Sequence, residues 1–378
     1  MTARRLAVSV VVAGLAASAC ATPRSGQPAS TQPPVPQGPV TRMPVNPLPV
    51  NPLPVTRVSV RPGGVAWVAH RDGTLSIAAS GAWRMLRPPE PPASGNSIAA
   101  SGSTVLVASL SGLSLHLARS TDTGRTWQRQ SVRLDEPADA AGVAMSPDTR
   151  QVAVGASVPG AAGGAGGYSR LFVGPSGGPL VSVNAPGGPD LAWAGFGLVE
   201  PGGPLHSRIY VSTDRGQTWR PEPVGGPVAP DRNVSPDVPA FGVPVALRGG
   251  AVVPLTRRGA VMLYHTTDGS HFALIGTVRV GGETGPGVGA VASPYGPDGL
   301  IVADPASTVL HTLVRGANGT MPGHGLPGPV DALSFEDTSA GLAQVTVRSC
   351  TNGKANCTEE QRLYQTTDGG GTWTRATR

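Results

Sequence analysis

From about residue 57 onward the chain alternates short apolar stretches with breaks marked by glycine and proline. Leu113, Leu115 and Leu117 alternate with Ser114, His116 and Ala118, the period-two signature of a strand with one buried face. Valine- and leucine-rich runs of similar length recur to the C-terminus, and none holds a helical period for long. The pattern predicts many short strands joined by tight turns, and therefore an all-β chain.

Four turns line up on one frame. They are residues 117–127 (LARSTDTGRTW), 209–219 (IYVSTDRGQTW), 263–272 (LYHTTDGSHF) and 363–373 (LYQTTDGGGTW). Ser120, Asp122, Gly124, Thr126 and Trp127 form the first. Ser212, Asp214, Gly216, Thr218 and Trp219 form the second, and Thr366, Asp368, Gly370, Thr372 and Trp373 the last. The remaining one, with Thr266, Asp268 and Phe272, is one residue short. These segments resemble the Asp-box, or BNR repeat, of sialidase-like β-propellers (Ser/Thr-x-Asp-x-Gly-x-Thr-Trp). The resemblance implies that each is the hairpin between the third and fourth strands of a propeller blade.

The residue types suit a turn. An aspartate can accept hydrogen bonds from loop N–H groups. A glycine permits backbone angles that other residues resist, and a tryptophan can fold under the hairpin and cover its apolar side. Such a turn is self-sufficient, so the aspartates read as structural rather than as ligand or calcium sites.

Spacing then counts units. Asp122 and Asp214 are 92 residues apart, Asp214 and Asp268 are 54 apart, and Asp268 and Asp368 are 100 apart. With blades of about 40–50 residues, each long gap holds one unit without the box. Residues 170–178 (RLFVGPSGG) and 308–319 (TVLHTLVRGANG) are the candidates, and residues 74–83 (TLSIAASGAW) supply another before the first box. The expectation is a seven-bladed β-propeller over residues 57–378. Six blades is the runner-up, should the first or sixth unit be mere connection. Stacking blades in a ring buries both faces of each and leaves few open edges.

Residues 1–19 read as a removable leader. Arg4 and Arg5 precede an apolar run from Leu6 to about Ala17, and Ala17-Ser18-Ala19 stands just before Cys20. The run is too short for a permanent membrane span. The segment resembles a bacterial lipoprotein signal, which implies lipid attachment at Cys20 and a membrane partner through that lipid. The family prefers leucine where Ala17 stands; an ordinary secretory leader would instead be cut near Ala19 or Ala21. Residues 20–56 then form a proline-rich tether with VNPLP twice, at 45–49 and 50–54. Such a segment favours polyproline II and could reach roughly 100 Å if extended. The implied address is the outer face of the cytoplasmic membrane or the cell envelope.

Composition narrows the function classes. Gly and Pro number 53 and 40 of 378 residues, a density that excludes a helix bundle or coiled coil. The net charge is +6. Every basic residue but Lys354 is arginine, and no basic run interleaves with aromatics, which disfavours a nucleic-acid role. Cys350 and Cys357 enclose six residues that include Asn352-Gly353. Outside the cytoplasm they are expected to form a disulfide, with a reactive dithiol as the alternative.

There is no His-Glu-x-x-His, Gly-x-Ser-x-Gly, Walker A loop or metal-spaced cysteine cluster, so no cofactor or metal is expected. His265 and His271 flank one turn and read as surface residues. The Arg-Ile/Leu-Pro motif of sialidases is absent, and Arg208-Ile209-Tyr210 runs straight into a box. The fold does not carry an activity. The reading is therefore a binding or scaffold module for an unknown protein, peptide or envelope glycan. The alternative is a diverged glycoside hydrolase of sialidase-like fold.

Overall fold

The computed structural model describes residues 41–42, 55–61, 65–70, 75–79, 82–86, 94–158, 168–187, 190–202, 208–224, 240–257, 259–281, 289–296, 299–314, 317–335, 337–351 and 356–376. The chain divides into Met1–Pro34 and Val35–Arg378, and all described residues belong to the second unit. Among them every regular element is a strand. This is the outcome expected where proline and glycine interrupt each helical period.

The strands pair antiparallel with their sequence neighbours into sheets of four. Six such sheets carry described interiors and are numbered here as blades: blade one (residues 94–133), two (140–185), three (192–222), four (240–279), five (291–322) and six (330–375). Blade four has a fifth short strand, because Ala240–Phe241 and Val245–Leu247 both pair with Gly250–Arg257. The first strands of successive blades lie side by side, as with Ser94–Ser101 against Ala140–Met145 and Val291–Pro294 against Val330–Phe335. The architecture is a β-propeller.

Packing explains why the second strands are apolar throughout. In Thr104–Ser111, Val105 and Val107 pack against Leu75 and Ile77 on one side. Leu106, Ala108 and Leu110 pack against Val143, Val152 and Phe172 of blade two on the other. A strand sandwiched between two neighbours has no wet face, so its burial does not alternate. The same arrangement repeats around the ring. Leu171 meets Leu198, Val211 meets Val253, Val252 meets Val302, and Leu310 meets Phe335.

The expected seven-bladed propeller is corrected to six blades. Spacing counts hairpins, and a hairpin does not by itself say which sheet is a blade of the ring. The hairpin expected at residues 74–83 is present, as Leu75–Ala79 paired with Ala82–Leu86. It belongs to a four-stranded N-terminal sheet over residues 55–86, in which only Leu75, Ile77 and Arg84 have described side chains. Its strand Val55–Arg61 lies between the first strands of blades six and one.

A short strand also occurs in the stretch read as tether. Thr41–Arg42 pairs antiparallel with the outer strand Thr126–Arg133 of blade one, Thr41 opposite Trp127 and Arg42 opposite Thr126.

Candidate functional site

The four aspartate turns all join the third and fourth strands of their sheets, in blades one, three, four and six. In blade one, Ser120 Oγ donates to Asp122 Oδ1 at 2.8 Å and accepts the Gly124 N–H at 2.8 Å. Asp122 Oδ1 accepts the Thr126 N–H at 2.8 Å, and Oδ2 accepts the Thr126 hydroxyl at 2.7 Å. Trp127 Nε1 donates back to the Gly124 carbonyl at 3.1 Å. Blade three repeats each bond with Ser212, Asp214, Gly216, Thr218 and Trp219. Blade six does so with Thr366, Asp368, Gly370, Thr372 and Trp373.

The turn requires two successive residues in the left-handed region. They are Thr123 and Gly124 (φ 60° and 78°), Arg215 and Gly216 (62° and 82°), and Gly369 and Gly370 (77° and 99°). Only the last pair is free of a Cβ at both positions.

These bonds fix the protonation of the acids. The Thr218 hydroxyl and N–H hold Asp214 down at about 2, and Thr372 does the same for Asp368, also about 2. Burial pulls Asp122 upward, but the bonds from Thr126 and Ser120 outweigh it and the net shift is downward. An acid so committed is a poor proton donor near neutrality.

The short turn of blade four solves the same problem differently. Thr266 Oγ1 accepts the Gly269 N–H at 2.8 Å. Asp268 Oδ1 accepts the N–H groups of Ser270 and His271 at 2.8 and 2.9 Å. His271 Nδ1 meets Asp268 Oδ2 at 2.7 Å. Gly269 (φ 73°) is its single left-handed residue, which accounts for the missing position. Phe272 is half-buried and packs with Phe196 and Val211 at the seam with blade three. Across the same seam Arg220 donates to the Gly269 carbonyl at 3.3 Å and to Ser270 Oγ at 2.8 Å, and it also contacts Glu222.

Hairpins without the aspartate occupy the same place in blades two and five. Tyr168–Pro175 leads to Val181–Ala185, and Val309–Val314 to Ala317–Pro322. Cys20 lies outside the described residues. Cys350 and Cys357 stand opposite one another in the long hairpin of Gly341–Thr351 with Asn356–Thr366. No group of three or more possible metal ligands occurs among the described residues.

Sequence reasoning missed two buried acids, one just past the end of a second strand and one within a second strand. In blade five, Asp304 is buried and follows Gly299–Ala303. It accepts the Gly281 N–H at 2.9 Å, the Ala306 N–H at 2.8 Å and the Ser307 hydroxyl at 2.8 Å. Its bonds are those of a turn. His311, two strand positions away, is also buried, and burial lowers its pKa.

Glu200 in blade three differs. It is 0% exposed and sits in Gly197–Gly202, opposite Tyr210, while Leu198 lies opposite Ser212 at the end nearer the aspartate turn. Oε1 accepts the Gly187 N–H at 2.6 Å. Oε2 is buried with no hydrogen-bond partner among the described residues. Burial pushes this carboxyl up to about 8, against the lowering pull of the Gly187 N–H. Glu200 is thus the one acid here held neutral at pH 7 by its surroundings, among the described residues with a resolved shift. The only available signal in the sequence was a carboxylate inside an otherwise apolar second strand, GLVEPG.

No family model matches the chain, and none of the curated proteins matches it. Solved structures do. A catalytically inactive virginiamycin B lyase from Staphylococcus aureus, crystallised with quinupristin, superposes with a TM-score of 0.51 at 10% identity, over 87% of this chain and 99% of that one. The WD40 repeats of RRP9 superpose with a TM-score of 0.52 at 12% identity, over 85% of this chain and 100% of that one. At such identity the likeness is one of fold alone, and the class it defines is the β-propeller.

Proposed function

We propose that this chain is an exported β-propeller of the Asp-box type that works by binding. On this reading it is anchored through a lipid on Cys20 and holds a protein, peptide or envelope glycan, with Cys350 and Cys357 joined as a disulfide. One observation carries the binding reading. The exposed and half-exposed aspartates of the repeats are all used up in their own hairpins, and Glu200, the one acid held neutral among the described residues with a resolved shift, is wholly enclosed. A glycosidase needs two carboxyl groups at the surface of a cleft, about 5–10 Å apart. The propeller instead offers a rigid frame whose loops can vary without disturbing the cores.

The test uses the purified full chain. Glycan arrays and capture from envelope extract are expected to give a saturable partner. Sialosides and aryl glycosides are expected to give no turnover. Saturable hydrolysis that survives repurification would replace the binding reading with an enzymatic one.

A further inference from the structure

We propose that Glu200 is a proton-dependent latch between blade three and the connection that enters it. As a neutral acid it holds Gly187 against the sheet, and on losing its proton it lets that contact open.

The geometry is a close fit around one side chain. Gly187 and Gly202 form an isolated antiparallel bridge. A Cβ on Gly187 would stand 2.3 Å from the Pro201 carbonyl oxygen and 2.6 Å from Glu200 Oε1. A Cβ on Gly202 would stand 2.8 Å from the Pro186 carbonyl oxygen. Both positions therefore need glycine, and the backbone of the connection lies directly on the carboxyl. In the sequence each glycine belongs to a Pro-Gly-Gly-Pro stretch, at 186–189 and 201–204.

What faces the carboxyl decides its charge. Leu198 packs toward blade two and Val199 toward blade four, so Glu200 shares the blade-two side. Blade two presents Leu171, Val173, Val183 and Ala185 there, all apolar. Its Arg170 is engaged with Asp135 on the other side. On the neighbouring strand Tyr210 lies opposite Glu200, and Arg208, at that strand's end, is exposed. The first strand of the blade brings Trp193, and the connection brings Asp190, an acid. Among the described residues no cation is positioned to compensate a carboxylate.

An ionised Glu200 would bind the Gly187 N–H more strongly. One N–H, however, does not replace the water a carboxylate loses on burial, and the second oxygen would stay unsolvated. The neutral acid is the form that fits.

The sign of the pH effect follows. The carboxyl titrates near 4.5 in the unfolded chain and at about 8 in the folded one. Its contribution to stability is complete below the lower value, declines as the unfolded chain alone releases its proton, and is gone once pH passes the upper value. Above that point the folded protein can hydrate the carboxylate only by lifting the connection off the strand.

Amide exchange of the full chain tests this, with rates corrected for their intrinsic pH dependence. Between about pH 6 and pH 9.5, protection in residues 186–202 is expected to fall at least tenfold in the wild type and to stay level in Glu200→Gln, whose amide oxygen can still accept the Gly187 N–H. Unchanged protection in the wild type, or an equal fall in the variant, overturns the latch. Should Glu200→Gln not fold, infrared spectroscopy of the wild type decides. A neutral carboxylic-acid carbonyl band present at pH 7 and lost by about pH 9.5 supports the latch, and its absence at pH 7 sinks it.

Discussion

His271 Nδ1 lies 2.7 Å from Asp268 Oδ2, the position filled in the three full-length turns by the hydroxyls of Thr126, Thr218 and Thr372. A ring nitrogen has replaced a hydroxyl, and with it the hairpin of blade four has acquired a titratable donor. The bond to Asp268, reinforced by that residue's charge, raises the pKa of His271. The bonds from His271 and Ser270 lower that of Asp268.

The pair therefore has a pH window. The histidine's contribution is complete below its unfolded value near 6.5 and is lost as pH rises through its higher folded value. The aspartate's is present above its unfolded value and is lost as pH falls through its lower folded one. Both groups are exposed, so the effect should be small and salt-sensitive. Melting curves of the wild type and His271→Ala are expected to differ most near pH 5.5 and to converge by pH 8.5. A difference independent of pH would show that the imidazole acts only by packing.

The tryptophans of the turns should not be equivalent. Trp127 is 0% exposed and belongs to the core shared with Leu75 and Ile77, whereas Trp219 is half-buried against the core of blades two and three. Trp127→Ala is expected to cost about 3–5 kcal/mol through the cavity it opens. Trp219→Ala should cost roughly half as much, because it exposes less new surface. Urea denaturation of both variants measures the order, and a larger loss at Trp219 would contradict it.

Thr123 adopts φ 60°, a conformation that a β-branched side chain resists. Blade six places Gly369 at the equivalent point of its turn. Thr123→Gly should therefore stabilise the chain by up to about 1 kcal/mol, relief of strain exceeding the added freedom of the unfolded state. A lower midpoint in denaturant would mean that the Thr123 side chain contributes more than its backbone costs.

Cys350 and Cys357 face each other across a ladder. The proposed disulfide would close a small loop, so its loss should cost no more than about 2–3 kcal/mol. Thiol titration of the denatured, unreduced chain from its native compartment is expected to find neither cysteine reactive. Two reactive thiols would favour the dithiol reading.

Cys20→Ala is expected to move the protein from the membrane fraction to the medium with its melting temperature unchanged. Retention in the membrane after a high-salt wash would contradict the lipid anchor.

The sequence was most legible where the chain stabilises itself locally. Ser120, Asp122, Gly124, Thr126 and Trp127 satisfy one another within eight residues, so their spacing alone shows their chemistry. Long-range features were less legible. The count of blades depends on which hairpins share buried faces, and Leu106 and Val107 look alike in sequence though they serve opposite interfaces. Glu200 was invisible for the same reason. Its character comes from the apolar side chains of blade two and from Gly187, thirteen positions back, and no local pattern announces such an environment.

The pairing of Thr41–Arg42 with the outer strand of blade one resets the geometry of the proposed anchor. Were the polypeptide free until Val55, the leash from Cys20 could stretch to about 120 Å. Pinned at Thr41, it can span no more than about 70 Å, whatever its conformation. The altitude at which the propeller rides above a bilayer would then be governed by a two-residue clasp on the rim, and weakening that clasp would pay out line without altering a single blade.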